Sequence, residues 1–321
     1  MGKVRKTAVA AAVMVAALTG LAGGRALAST RVVSHGEPCT TGDYYYYSIK
    51  TAVDHSYNGD VIEVCDGTYT ESFTIYQTEL DLESFNLQGA TIVAPGYLTP
   101  GQAIIEVVNE DFEDSVATPL VSPAALQDDV IIHGFNITGP AAKYGTCQIQ
   151  AGVFIHEDAI ASVVDNVITS IRDNPLSGCQ QGYGIRVGSE AEFDEEDSDP
   201  GTADLYGNTI SDYQKGGIFV DGEGSSADIT NNVVTGTFKT KIIGQNGIQV
   251  SNTSLESTIT GNIISDNFYG QACIKGNCYR ATGVLEVNAG QRGDLLKIWR
   301  NNTFSHNQVR ATITPLPKPA K

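Results

Sequence analysis

Four residues recur at one place in successive stretches of this chain: Phe154, Arg186, Phe219 and Gln249 lie 32, 33 and 30 residues apart. Tyr183 precedes Arg186 by three residues, Lys215 precedes Phe219 by four, and Asp221 follows Phe219 by two. An arginine flanked by aromatic rings, with a lysine and amides beside it, suits an acidic sugar chain. Rings stack on sugar faces, the planar guanidinium pairs with carboxylates, and amides bond hydroxyls. Phe154, Tyr183, Phe219, Asp221 and Gln249 are the expected substrate-binding residues. The same column also reads as an outer stacking ladder, or as rings covered by a loop.

A second candidate is the acidic insertion from Ser189 to Gly201, with Glu190, Glu192, Asp194, Glu195, Glu196, Asp197 and Asp199. Clustered carboxylates suit Ca²⁺, which takes six to eight oxygens. Asp197-Ser-Asp199-Pro-Gly201 is a fragment of a calcium-loop pattern. The expected ligands are Glu190, Glu192, Asp197 and Asp199. A solvated loop of like charges is the alternative.

The elements that must carry these residues are repeats. A glycine followed by apolar-any-apolar recurs as Gly152-Val-Phe-Ile155, Gly184-Ile-Arg-Val187, Gly217-Ile-Phe-Val220 and Gly247-Ile-Gln-Val250, with a less regular copy at Gly283-Val-Leu-Glu-Val287. A second element places an asparagine before a short apolar run, at Asn166, Asn208, Asn232, Asn262 and Asn302, with a weaker copy at Asn136. Each run alternates as a strand does and is too short to bury enough area alone. Stacking equal positions on one another makes a continuous interior. The reading is an all-β solenoid, a parallel β-helix of about six repeats. Asparagine suits a bend that needs left-handed backbone or a side-chain-to-backbone bond. Glycine suits close approach or an unusual φ. After each asparagine runs a hydroxyl column, Thr169, Ser211, Thr235, Ser265 and Ser305, which serves stacking without chemistry.

Lys3, Arg5 and Lys6, the apolar run Thr7 to Leu21 and the small residues at Ala26 and Ala28 form a secretory signal pattern. The expected division is 1–28 signal peptide, 29–100 N-terminal cap and first coils, 101–313 β-helix repeats and 314–321 a flexible proline-rich tail. The chain carries 20 basic and 37 acidic residues, a net −17. Loss of Lys3, Arg5, Lys6 and Arg25 leaves −21. Such a surface repels nucleic acid and anionic lipid. An anionic partner therefore needs a local basic site or a bridging cation. A secreted monomer free of the membrane after cleavage is expected.

Six cysteines in an exported chain favour disulfides. Cys147 and Cys179 each lie five residues before a repeat glycine. Stacked coils are about 4.8 Å apart, within the span of roughly 4.4–6.8 Å that a disulfide bridges, so these two are expected to bond. Cys39–Cys65 and Cys273–Cys278 complete the set.

Ser48-Ile-Lys-Thr-Ala-Val-Asp54 reads as a short amphipathic helix, followed by Gly59-Asp-Val-Ile-Glu-Val64 and Asp66-Gly-Thr-Tyr-Thr-Glu71. This opening closely resembles that of the right-handed parallel β-helix superfamily, pectate-lyase-like and NosD-like. The resemblance implies a helix capping the open end and covers nearly all of the chain after residue 28. The superfamily holds lyases, hydrolases, esterases, epimerases and non-enzymes, so it constrains fold more than chemistry. Gly182-Tyr-Gly-Ile-Arg-Val-Gly-Ser189 is similar to the conserved strand of β-helix alginate and chondroitin lyases, which implies a catalytic Arg186. It departs at Gly184, where those lyases carry glutamate. Adjacency of columns adds Lys215 as the base. The later motifs of pectin methylesterases and polygalacturonases are missing. Two readings stand: a polysaccharide lyase or other carbohydrate-active enzyme, and a non-catalytic binding or surface-structural β-helix.

Overall fold

A computed structural model describes residues 28–76, 79–98, 102–109, 129–139, 147–189, 198–253, 257–270, 279–288 and 295–314. The signal segment before residue 28, the Cys273–Cys278 pair and residues 315–321 of the tail lie outside the described residues.

The strands wind as a right-handed parallel β-helix with three sheets. Among the described residues the first sheet has nine strands and the second and third have eight each. Every paired strand is parallel, as in Gly216–Asp221 between Tyr183–Val187 and Asn246–Ser251. The glycine and asparagine marks imply about six repeats, and the stack extends beyond them. The earlier coils, such as Asp60–Val64, Gly67–Thr70 and Phe73–Ile75, lack those marks. Apolar columns face inward in every sheet; Ile105, Val153, Ile185, Ile218, Ile248 and Val284 form one such ladder in the third and are fully buried.

The glycine marks are steric. A Cβ on Gly152 would meet Gly184 O at 2.7 Å and Ile168 Cγ2 at 2.9 Å. On Gly247 it would meet Gly283 O and Ile264 Cγ2, both at 2.6 Å. The inner ladder of the second sheet fills the space a side chain would need. Of the two uses of glycine, close approach is the one realised. It also accounts for Gly184: a Cβ there would collide with Ile210 and the Gly217 carbonyl.

The asparagine marks are hydrogen-bond ladders. Asn166, Asn208, Asn232 and Asn262 each give their backbone N–H to the side-chain oxygen of the next coil's asparagine, at 2.8–3.1 Å. Each amide nitrogen donates to a carbonyl one coil back, as Asn232 Nδ2 does to Leu205 O at 2.8 Å. All four are fully buried, so an unsatisfied amide there would cost about 1–3 kcal/mol. The left-handed residue is the one before: Asp165, Gly207, Asn231 and Gly261. Asn136 does not belong to this ladder. Phe135 occupies that place and gives its N–H to Asn166 Oδ1, while Asn136 donates to Gln88 O. The hydroxyl column is in register, with Ser211 Oγ 3.4 Å from Thr169 Oγ1.

The N-terminal helix runs over Ile49–Asp54 with Ser48 as its cap. Glu71 closes that end: its carboxylate accepts from Ser48 Oγ, Ile49 N and Lys50 N at 2.8–3.1 Å. Anions suit a helix N-terminus, so the Thr-Tyr-Thr-Glu turn is cap chemistry. A second helix, Leu295–Asn301, stands where the last coil would give a first-sheet strand. Cys39–Cys65 and Cys147–Cys179 are bonded, with Cα atoms 5.6 and 5.4 Å apart.

Candidate functional site

The third sheet carries the expected column on its outer face, in register: Glu106, Phe154, Arg186, Phe219, Gln249 and Leu285. One coil's rise separates neighbours, so adjacent side chains stack. The Arg186 guanidinium lies 4.9 Å from the Phe154 ring centre and 5.7 Å from that of Phe219. Tyr183, one column over, stacks on Phe219 at 4.6 Å. His156 stacks on Phe154 at 4.0 Å, with planes 12° apart.

This cluster is closed. Phe154, Tyr183 and Phe219 are 6, 6 and 8 % exposed, and the Arg186 side chain is 13 % exposed. Strand alternation places these aromatics on the outer face; the structure shows the stacking-ladder alternative, with rings covered by their own neighbours. Arg186 Nε donates to Gly188 O at 3.1 Å, and its terminal nitrogen lies 3.7 Å from Asp221 Oδ2. Desolvation pulls the Arg186 pKa down, against the opposing pull of Tyr183, Asp221 and Asp199. Burial raises the Tyr183 phenol, whose hydroxyl donates to Gln180 O. Gln249 is held by Asn246 Nδ2 at 2.7 Å and donates to Ser251 Oγ at 2.9 Å.

His156 also belongs to this cluster. Burial lowers its pKa to about 4, with Asp199 pushing up and Arg186 down. Both ring nitrogens are buried, and neither has a hydrogen-bond partner among the described residues. Its place two residues beyond Phe154 was the available sequence signal.

Lys215 sits elsewhere. It immediately precedes the strand Gly216–Asp221, and its Nζ donates to Gly244 O at 3.4 Å. Burial lowers its pKa. It lines a cavity of about 480 Å³ with Gln180, Asn246, Tyr269, Tyr279 and Arg280. Arg186 does not line that cavity. Two cations, two amides and two phenols thus converge at the border of the third sheet. Tyr269, Tyr279 and Arg280 come from between repeats, where no register marks them.

Of the calcium candidates, Glu190, Glu192 and Asp197 lie outside the described residues. Asp199 closes the base of the insertion through paired backbone bonds with Ser189 at 2.9 and 3.2 Å. Among the described residues no three acidic, histidine or cysteine side chains are grouped to hold a metal ion. The first sheet carries an acidic groove, where Asp204 is raised by burial and by Asp228 and Asp129.

Among solved structures, the chain is similar to the pectate lyase Pel9A, with a TM-score of 0.50 and 12 % identity over 91 % of this chain and 80 % of that one. It is also similar to a pectin methylesterase from Aspergillus niger, with TM-score 0.37 and 12 % identity over 92 % and 88 %. A PL6 family alginate lyase, AlyGC, gives TM-score 0.38 and 12 % identity over 82 % of this chain and 38 % of that one. No family model and no curated protein matches the sequence.

Proposed function

For a chain with the right-handed parallel β-helix fold, we propose binding of an acidic extracellular polysaccharide in the cavity at Lys215. The observation that carries this is the cavity wall itself: Lys215 and Arg280 beside Gln180, Asn246, Tyr269 and Tyr279, in a chain of net charge −17. A cationic pocket on an acidic protein is the local basic site an anionic partner requires. Cations pair with uronate carboxylates, amides take hydroxyls, and phenols offer both a ring face and a polar tip. Secretion, which places the chain with such polymers, is supported by the signal pattern and by two disulfides, as in oxidising compartments.

Cleavage by β-elimination is the further step of this reading, and the lowered pKa of Lys215 supports it. In its deprotonated form the Lys215 amine takes the proton from C5 of a uronate, while Arg280 stays the cation paired with the carboxylate. The C–H electron pair becomes the C4–C5 double bond, the C4–O4 bond breaks, and the leaving O4 takes the proton back from the Lys215 ammonium so that the sugar departs as its alcohol. The closed cluster around Arg186 favours the other reading, a non-catalytic binding module, because it gives Arg186 a packing role.

The test is binding and turnover on polygalacturonate, alginate and glycosaminoglycans, with and without Ca²⁺. Expected is salt-sensitive binding to at least one polyuronate, weakened roughly 10-fold or more in Lys215→Met. New double-bond absorbance that Lys215→Met abolishes makes the chain a lyase. Binding without turnover makes it a module. Binding only with Ca²⁺ assigns a bridging cation. No binding to any of these polymers overturns the proposal.

A further inference from the structure

Basic residues are scarce here, yet the segment 238–242 beside the Lys215 cavity reads Phe-Lys-Thr-Lys-Ile. Phe238 is 49 % exposed and Ile242 is 53 % exposed. Large apolar side chains left open together mark contact surfaces more often than isolated ones do. The Phe238 ring meets Phe268 edge-on at 5.9 Å and His306 at 6.0 Å. Lys239 Nζ lies 5.1 Å from the Phe238 ring centre. The three rings come from successive turns between the second and third sheets, so they climb the axis of the stack as the cavity wall does.

The platform is continuous with the cavity. Ile242 belongs to both the segment and the cavity wall, and Tyr269 of the wall follows Phe268. Thr240 bridges Tyr269 in parallel, and Gly270 N donates to Thr240 O at 2.7 Å. A Cβ on Gly270 would sit 3.2 Å from Lys241 Cγ, so the segment lies closely against that turn. His306 is held 3.3 Å from Asp266.

We infer that Phe238, Lys239, Phe268 and His306 form an outer subsite for a carboxylate-bearing sugar of the chain whose neighbouring unit occupies the Lys215 cavity. The inference rests on the cavity reading and extends it. The Phe238 ring gives a face for the sugar's C–H side, and Lys239 gives the carboxylate its counter-charge. A chain spanning both positions gains affinity because its second contact is intramolecular. Oligomers long enough to reach the platform therefore bind more tightly than those that fill the cavity alone.

The experiment has two arms, each on wild type, Lys215→Met, Phe238→Ala and Lys239→Asn, the last keeping a residue tolerant of the left-handed backbone at 239. Calorimetric titration uses oligogalacturonates and alginate oligomers of increasing length. Electrophoresis through gels containing polygalacturonate or alginate measures retardation. Phe238→Ala should lose about fivefold in affinity for the longer oligomers and nothing for the shortest. Wild-type length dependence in Phe238→Ala, with unchanged thermal melting, overturns the subsite and leaves the cavity reading standing. Retardation that survives Lys215→Met but is lost in Phe238→Ala supports the platform and refutes the cavity. A wild type that neither titrates nor is retarded overturns both.

Discussion

Arg186 and Lys215 stand on adjacent coils of one face, and their surroundings are opposite. Arg186 lies between Phe154 and Phe219 in a closed cluster and faces Asp221. Lys215 lines an open cavity with polar neighbours. Both lose solvation, and burial lowers both pKa values. The difference lies in what surrounds each charge. In a solenoid, pointing outward is not exposure: a side chain between large neighbours one coil above and below is covered by them. A residue at the margin of the sheet, beside the turns, remains reachable.

The sharpest way to break this comparison is to remove Arg186. Arg186→Ala leaves Asp221 buried without that cation and empties the space between two rings. Removing one partner of a buried pair costs about 3 kcal/mol. Chemical denaturation should show that loss, with Arg186→Met losing less because its chain refills the gap. An Arg186→Ala protein as stable as wild type, yet unable to bind or turn over polyuronate, would make Arg186 the functional cation and erase the contrast.

A smaller effect tests the closed cluster through pH. The His156 pKa falls from 6.5 to about 4 because burial disfavours the charged ring. Its folded pKa is depressed, so between these values the unfolded chain binds more protons than the folded one. Stability from this group is complete above pH 6.5 and is lost as pH falls toward 4. The size is about 2 kcal/mol, allowing for relaxation around the ring. Asp199 and Arg186 are the charged groups acting on it, and Glu157 Oε1 lies 3.6 Å from Nδ1. His156→Phe keeps a ring against Phe154 and should flatten the melting-temperature profile between pH 6.5 and 4. An unchanged acid slope in that variant would show that the ring is solvated and the cluster open.

The same contrast explains what was legible in the sequence. Gly184 and Gly217 could be read because the steric demand recurs in every coil, and Asn208 and Asn232 because each amide serves the next. Cys147 and Cys179 follow from that register. The first coils could not be counted, since Phe135 stands in the asparagine's place and Gly67–Thr70 carries no mark. The alternation told that Phe154 and Phe219 point outward, but not that Arg186, Tyr183 and His156 would cover them. Tyr279 and Arg280 lie between repeats, where spacing varies, so nothing in the period brings them to Lys215. Ladder interactions are periodic and local to a position; a cavity is assembled from segments of unequal length and has no period.

The smallest stability effect belongs to Lys215, and it is the most informative. Lys215 is half-buried, with the Gly244 carbonyl as a long partner for its Nζ at 3.4 Å. Such a charge loses hydration without an ion pair among the described residues to restore it, so it does not hold the fold together. Lys215→Met keeps the aliphatic stem and removes the desolvated ammonium. Its unfolding free energy should stay within about 0.5 kcal/mol of wild type or rise slightly, while polyuronate binding falls. A group that costs the fold and serves the ligand is the signature of a site, whereas Arg186 shows the reverse. If Lys215→Met lost stability on the scale of Arg186→Ala, both cations would be structural and the cavity would lose its claim to a ligand.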